Sequence, residues 1–298
     1  MLALKGFCMG TADLIPGISG GTIAFLFGIC EELILSLRKV DASFAWLLMK
    51  GKVGQALRHV NWRFLVAVLG GDVLAIFSLS KFIRWLLTHY PVLVQSFFFG
   101  LIAATVFVIA RSIARWELRH FGGMFIAAVL TFYVVGLVPV ATPDTWWFLF
   151  FSGALAICAM ILPGISGAFI LVLLGKYQFI IQAVSDRNLA VLGIVFAGIV
   201  VGILSFVRIL NYLFKHYHNT VVACLTGLVL GSLRKVWPWK QVLEALRTKS
   251  GKIIPLREIN VMPDLNIWAL AAVGLMVAGF FLAYRLGNIS QPKRLFQS

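Results

Sequence analysis

Two short proline-glycine segments, each set inside a long apolar run, constrain this chain more than any other feature. The first is Pro16-Gly17-Ile18-Ser19-Gly20-Gly21-Thr22 and the second is Pro163-Gly164-Ile165-Ser166-Gly167-Ala168. Proline removes a backbone donor and glycine allows dihedrals closed to other residues, so each segment should interrupt a helix. Inside a bilayer, irregular backbone is tolerated only where protein surrounds it or it lines a wet cavity. Two such breaks therefore predict one polar site between them.

The surroundings are those of an integral membrane protein, with 61% hydrophobic and 12% charged residues in 298. Mean hydropathy is +0.96. A formal charge of +15 raises the question of nucleic acid, but the 26 Lys and Arg lie mostly in short loops between apolar runs. That distribution fits a membrane surface and the positive-inside bias, and no nucleic-acid partner is expected. Cys8, Cys30, Cys158 and Cys224 are scattered without metal-ligand spacing and read as packing residues, so neither metal nor cofactor is expected. Lys5 is followed by a glycine-rich stretch carrying Asp13 and no cleavage pattern, so the first apolar segment should stay in the mature protein.

The expected fold is an all-α polytopic membrane protein made of two repeats, 1–144 and 145–298. The first has a broken hairpin over 2–37, a basic amphipathic stretch over 38–63, and spans near 64–88, 92–113 and 122–138. The second has a broken hairpin over 146–184, spans near 188–214, 220–233 and 267–286, and a polar loop over 234–264. All nine tryptophans fall near segment boundaries, as an interfacial belt predicts. Pro16, Gly28 and Glu31 match Pro163, Gly175 and Gln178 at an offset of 147. Gly71, Ser78, His89-Tyr90 and Gly100-Leu101 match Gly198, Ser205, His216-Tyr217 and Gly227-Leu228 at an offset of 127. The shift falls where the second half lacks the basic stretch, so an internal duplication is the economical reading.

A re-entrant hairpin plus three crossings per half inverts the second half relative to the first. Both termini and the loops 38–63 and 111–120 then share the more basic, cytoplasmic side. Against this, the loop 234–264 carries seven Lys or Arg and would lie outside. Making each broken segment one crossing would bring it back inside. The hairpin is preferred because 146–184 holds 39 residues, about 58 Å of helix, against a hydrocarbon core of about 30 Å.

Few polar groups lie inside the apolar segments, and the chemistry must come from them. Ser19 and Ser166 precede new helical arms, where free amides and the positive end of the helix dipole suit an anion; Gly17, Gly20, Gly21, Gly164 and Gly167 clear space for it, and Thr22 is a further candidate to bind it. The plainer reading is that the serines only cap the arms. Asp13 has no carboxylate counterpart at Met160, an asymmetry that suits a coupling proton or sodium ion; alternatively, nearby amides satisfy it. Glu31, Asp72 and Lys81 join Asp13 as candidates for ion coupling or gating. Lys81 matches Arg208, and Arg84 lies one turn on, so inversion would put a cation near each membrane face to receive an anion. Snorkelling from helix ends is the alternative for these side chains.

The stretch Gly10-Thr11-Ala12-Asp13-Leu14-Ile15-Pro16-Gly17-Ile18-Ser19-Gly20-Gly21-Thr22, followed by Gly28-Ile29-Cys30-Glu31, resembles the signature of the bacterial polyprenyl-phosphate translocase family (PopT). Met160 to Gly167 and Asn61-Trp62-Arg63-Phe64-Leu65 also fit, so the resemblance covers most of the chain. The family usually has tyrosine where this chain has Cys30. The resemblance implies a carrier that returns undecaprenyl phosphate from the outer to the inner leaflet of the bacterial cytoplasmic membrane for cell-wall synthesis. Undecaprenyl-pyrophosphate phosphatases are the competing class, with a similar Pro-Gly-x-Ser start. Here Gly20 and Gly21, and again Gly167 and Ala168, stand where such an enzyme has the arginine and second serine that phosphoryl transfer needs. A small-anion transporter or channel shares the broken helices and is the third reading.

Overall fold

A computed structural model describes residues 1–113, 115–140, 142–247, 253–264 and 266–290. The first break separates α1 (Leu2–Asp13) from α2 (Gly20–Leu26), and the second separates α9 (Trp146–Ile161) from α10 (Gly167–Leu173). Gly17 and Gly164 take φ of 87° and 90°, a left-handed conformation that only glycine adopts without strain. Each broken segment then bends again. Between α2 and α3 (Cys30–Arg38) the chain turns by 113°, and between α10 and α11 (Tyr177–Ser185) by 104°. Gly28 and Gly175 make these second turns, with φ of 65° and 66°. Within the hairpin expected over 2–37, the part after the first break is thus two short helices. Its first piece, α2, has only 7 residues, about 10 Å of helix.

The basic stretch folds into α4 (Ala42–Met49) and α5 (Val53–His59). Asp41 caps α4 by accepting from the Phe44 amide at 2.9 Å, and Lys50 lies 3.7 Å from the centre of the Trp46 ring. Long apolar helices follow: α6 (Trp62–His89), α7 (Pro91–Ala110) and the shorter α8 (Leu118–Val134). Pro91 opens α7 at its first turn, where the missing donor costs nothing. In the second half the two expected spans join in α12 (Leu189–Val236), continuous except at Tyr217, where φ is −135° and ψ is 39°. Tyr90, its sequence match, has φ of −135° and ψ of 49°. The last helix is α13 (Ile267–Ser290).

Among the described residues four helices are long and apolar enough to cross a membrane, or six spans if each bent pair counts as one. The protein is multi-pass, and among the described residues its regular structure is helical apart from one β-hairpin. The loop 234–264 contains an antiparallel hairpin of β1 (Lys240–Arg247) and β2 (Ile253–Asn260), which sequence periodicity did not predict.

Four helix pairs form the core, and in each the partners run parallel. In α1 and α6, Gly6 meets the Val68 carbonyl and Gly10 meets Asp72; in α9 and α12, Gly153 meets the Val195 carbonyl and Cys158 meets Gly202. The other two pairs exchange partners between the halves. Gly100 of α7 packs on the Met276 carbonyl of α13, and Val108 on Gly287; Gly227 of α12 packs on the Met124 carbonyl of α8, and Gly231 on Ala128. A side chain at these glycines would collide with backbone, or at Gly287 with the Val108 side chain, so small residues set the closeness of approach.

Candidate functional site

The two breaks meet. The buried Gly164 amide donates to the Thr22 hydroxyl oxygen at 2.9 Å, joining the second break to the start of α2. Gly21 faces the same junction, where a Cβ would lie 3.3 Å from the Met160 carbonyl oxygen. The second half of α12 runs past both turns. Its Leu228 and Ser232 lie against Gly164, and Lys235 lies against Gly17, where a Cβ would be 3.0 Å from the lysine Cγ.

The two arm starts differ. At α2 the Gly20 amide donates to Asp13 Oδ1 at 2.6 Å and the Gly21 amide to the Ser19 hydroxyl oxygen at 3.2 Å. Ser19 and Thr22 are buried, so the first turn of α2 is closed by the side chains of Ser19 and of Asp13 from α1. At α10, Ser166 is half-buried and makes no capping bond among the described residues. Gly167 beside it is buried against the Ala156 carbonyl. Serine at both positions is thus one residue type in two situations, a cap at Ser19 and an unengaged hydroxyl at Ser166.

Asp13 and Asp72 lie on parallel helices and are close enough to act on each other electrostatically. Asp72 Oδ1 is buried with no hydrogen-bond partner among the described residues. Glu31 is engaged further along the chain, 2.9 Å from His218 Nε2, a pairing between α3 and α12 with no signal in the sequence. Lys81, Arg84 and Arg208 stand exposed on α6 and α12, and among the described residues none has a side-chain hydrogen bond or ion pair. The structure brings together Asp13, Ser19, Gly20, Gly21, Thr22 and Gly164, with Ser166 and Gly167 opening the next arm. It does not bring Arg84 or Arg208 into contact with them.

Among the described residues the cation against both breaks is Lys235, which sequence reasoning left among the loop charges. Its ammonium lies 5.3 Å from the centre of the Phe169 ring, in the first turn of α10, and 3.7 Å from Glu258 Oε2. Glu258, on β2, also pairs with Lys240 at 3.3 Å. The hairpin is held to α12 by Trp237 Nε1 donating to the Val261 carbonyl at 2.9 Å and Asn260 Nδ2 donating to the Arg234 carbonyl at 2.9 Å. No group of three or more His, Cys, Asp or Glu among the described residues is arranged to hold a metal ion.

Residues 9–254 match a family model described as undecaprenyl phosphate translocase-like. The chain is 40% identical over 296 residues to a polyprenyl-phosphate transporter of Vibrio cholerae, covering 97% of this chain and 96% of the relative. It is 33% identical over 306 residues to a polyprenyl-phosphate transporter of Staphylococcus aureus, covering 96% and 95%. No solved structure matches. On the family model and these two relatives, the chain belongs to the undecaprenyl phosphate translocase-like family.

Proposed function

We propose that this protein transports polyprenyl phosphate across the bacterial cytoplasmic membrane, from the outer to the inner leaflet, and that the phosphate passes the junction of the two breaks. The observation that carries the reading is the Gly164 to Thr22 bond beside Lys235, which places two interrupted helices and one cation at a single point in a chain of this family. Gly17, Gly164 and Gly167 keep side chains away from that point, Ser166 offers a free hydroxyl, and Ser19 with Gly20, Gly21 and Thr22 forms the opposing wall. Arg84 and Arg208, on the two long helices, are counter-charges along the path on either side.

Two inverted repeats underlie this route. Parallel packing of α1 with α6 supports a common starting face for the two, with 1–61 returning to the face it left, and the packing of α9 with α12 supports the same for the second half. Helices joined by short links alternate in direction, and α12's second half runs with α8, so its first half opposes α6. On this reading repeat one is 1–144 and repeat two 145–298, with the N-terminus and the 38–63 segment cytoplasmic. His89, Tyr90 and Pro91 share a cavity of about 420 Å³ with Trp239, Asp264 and Trp268, which supports placing that corner and the hairpin on one face. Asp13, unmatched in the second repeat and near Asp72, is the coupling site for a proton or sodium ion; Glu31 with His218, and Lys81, act in gating.

The test is binding of undecaprenyl phosphate and of undecaprenol to the purified protein in nanodiscs. A charge-assisted hydrogen bond contributes about 1.5–3 kcal/mol, so the phosphate should bind at least about tenfold more tightly. Equal affinity for the two lipids defeats the reading.

A further inference from the structure

We infer that Lys235 is the residue that receives the phosphate monoester at the junction of the breaks, and that Glu258 on the β-hairpin competes with the phosphate for it. The inference rests on the transport reading above. Three observations carry it. The lysine stem lies against the left-handed turn at Gly17, so its position depends on the first break. Its ammonium lies over Phe169, in the first turn of the second arm and three residues past the unengaged Ser166, so it also belongs to the second break. Its one carboxylate partner among the described residues stands at 3.7 Å, beyond hydrogen-bond distance, and is shared with Lys240, whose Nζ is closer at 3.3 Å.

A lysine is a compact point charge with three donors on a flexible stem, suited to following a phosphate as it moves. A loosely held ammonium can leave Glu258, because Lys240 remains to neutralise that carboxylate. Lys240 is itself fixed, donating to the Lys235 carbonyl at 2.7 Å. The hairpin thereby sets how readily Lys235 is released, which gives the loop 234–264 a role at the site rather than only in orientation.

The experiment measures affinity for undecaprenyl phosphate and undecaprenol in nanodiscs for the wild type, Lys235→Gln, Lys235→Arg and Glu258→Gln. Lys235→Gln should weaken binding of the phosphate lipid by about tenfold and leave undecaprenol unchanged, whereas Lys235→Arg should keep the preference. Glu258→Gln should move the other way and tighten the phosphate lipid. If Lys235 only anchors the hairpin, breaking the pair from either end has the same effect, so two variants that shift together, or that alter both lipids equally, overturn the inference. Inorganic phosphate at millimolar concentration should displace little of the lipid, because the headgroup is backed by a buried chain; full displacement would assign the site to free phosphate and overturn the lipid assignment. A wild type without preference fails the transport reading itself, whereas a wild type with a preference that Lys235→Gln retains fails only this inference.

Discussion

Asp13 carries the most specific expectation at the scale of single residues. Asp13→Asn keeps the shape of the side chain and its bond from the Gly20 amide while removing the charge, so the variant should fold and bind undecaprenyl phosphate yet lose transport and its dependence on pH or sodium. Normal transport with unchanged ion dependence would remove Asp13 from the mechanism. The two serines should separate by stability. Ser19 caps α2 and is buried, so Ser19→Ala should cost about 0.5–2 kcal/mol in thermal or denaturant unfolding, with Ser166→Ala costing less. Ser166→Ala should instead reduce the preference for phosphate lipid over alcohol. The residue types at the breaks were readable because proline, glycine and serine have strong local meanings. Lys235 was not, since a lysine at the edge of a basic loop looks the same whether it sets orientation or meets a distant turn. Arg84 and Arg208 show the converse, for helical periodicity places a cation on a helix without saying which neighbour that face meets.

At the scale of elements, the exchanged helix pairs are the sensitive contacts. A leucine at Gly100 or Gly227 would push α7 off α13, or α12 off α8, because the glycine in each case faces a backbone carbonyl that cannot rotate away. Each substitution should lower stability by about 1–3 kcal/mol or more, measured as loss of the monodisperse folded fraction on heating. The surface helix α4 should respond to acid. The Phe44 amide bond, aided by His59, holds the Asp41 carboxyl below its ordinary pKa, so the cap's contribution is full above the unfolded carboxylate value and is lost as pH falls through the folded one. Amide protection in α4, taken relative to the intrinsic exchange rate at each pH, should fall on acidification in the wild type, and Asp41→Ala should remove that pH dependence. Most elements followed from apolar length and punctuation, as Pro91 opening α7 shows. The second bends did not, because a lone glycine within an apolar run is compatible with an unbroken helix; the recurrence of Gly28 as Gly175 was the available signal. The β-hairpin was hidden for another reason, since a basic loop with little alternation gives no strand period.

For the whole molecule, the matching turns at Gly28 and Gly175 and the matching breaks at Tyr90 and Tyr217 were legible in the two offsets, while the packing of α7 on α13 and of α8 on α12 depends on contacts far apart in sequence. The inverted arrangement has a direct test. Single cysteines at Gly54 and Met262, introduced after the four native cysteines are replaced, should label from opposite sides of the membrane, and labelling from one side would contradict the arrangement. A translocase of this kind should also release no phosphate from undecaprenyl pyrophosphate, as Gly20 and Gly21 provide neither nucleophile nor charge for it. The central claim is movement of the lipid. It is tested most directly by reconstituting the protein into liposomes, adding undecaprenyl phosphate to one leaflet, and following its arrival in the other with and without an imposed proton or sodium gradient. The account predicts gradient-dependent movement by the wild type that Asp13→Asn abolishes; transfer no faster than in protein-free liposomes under every gradient would contradict it.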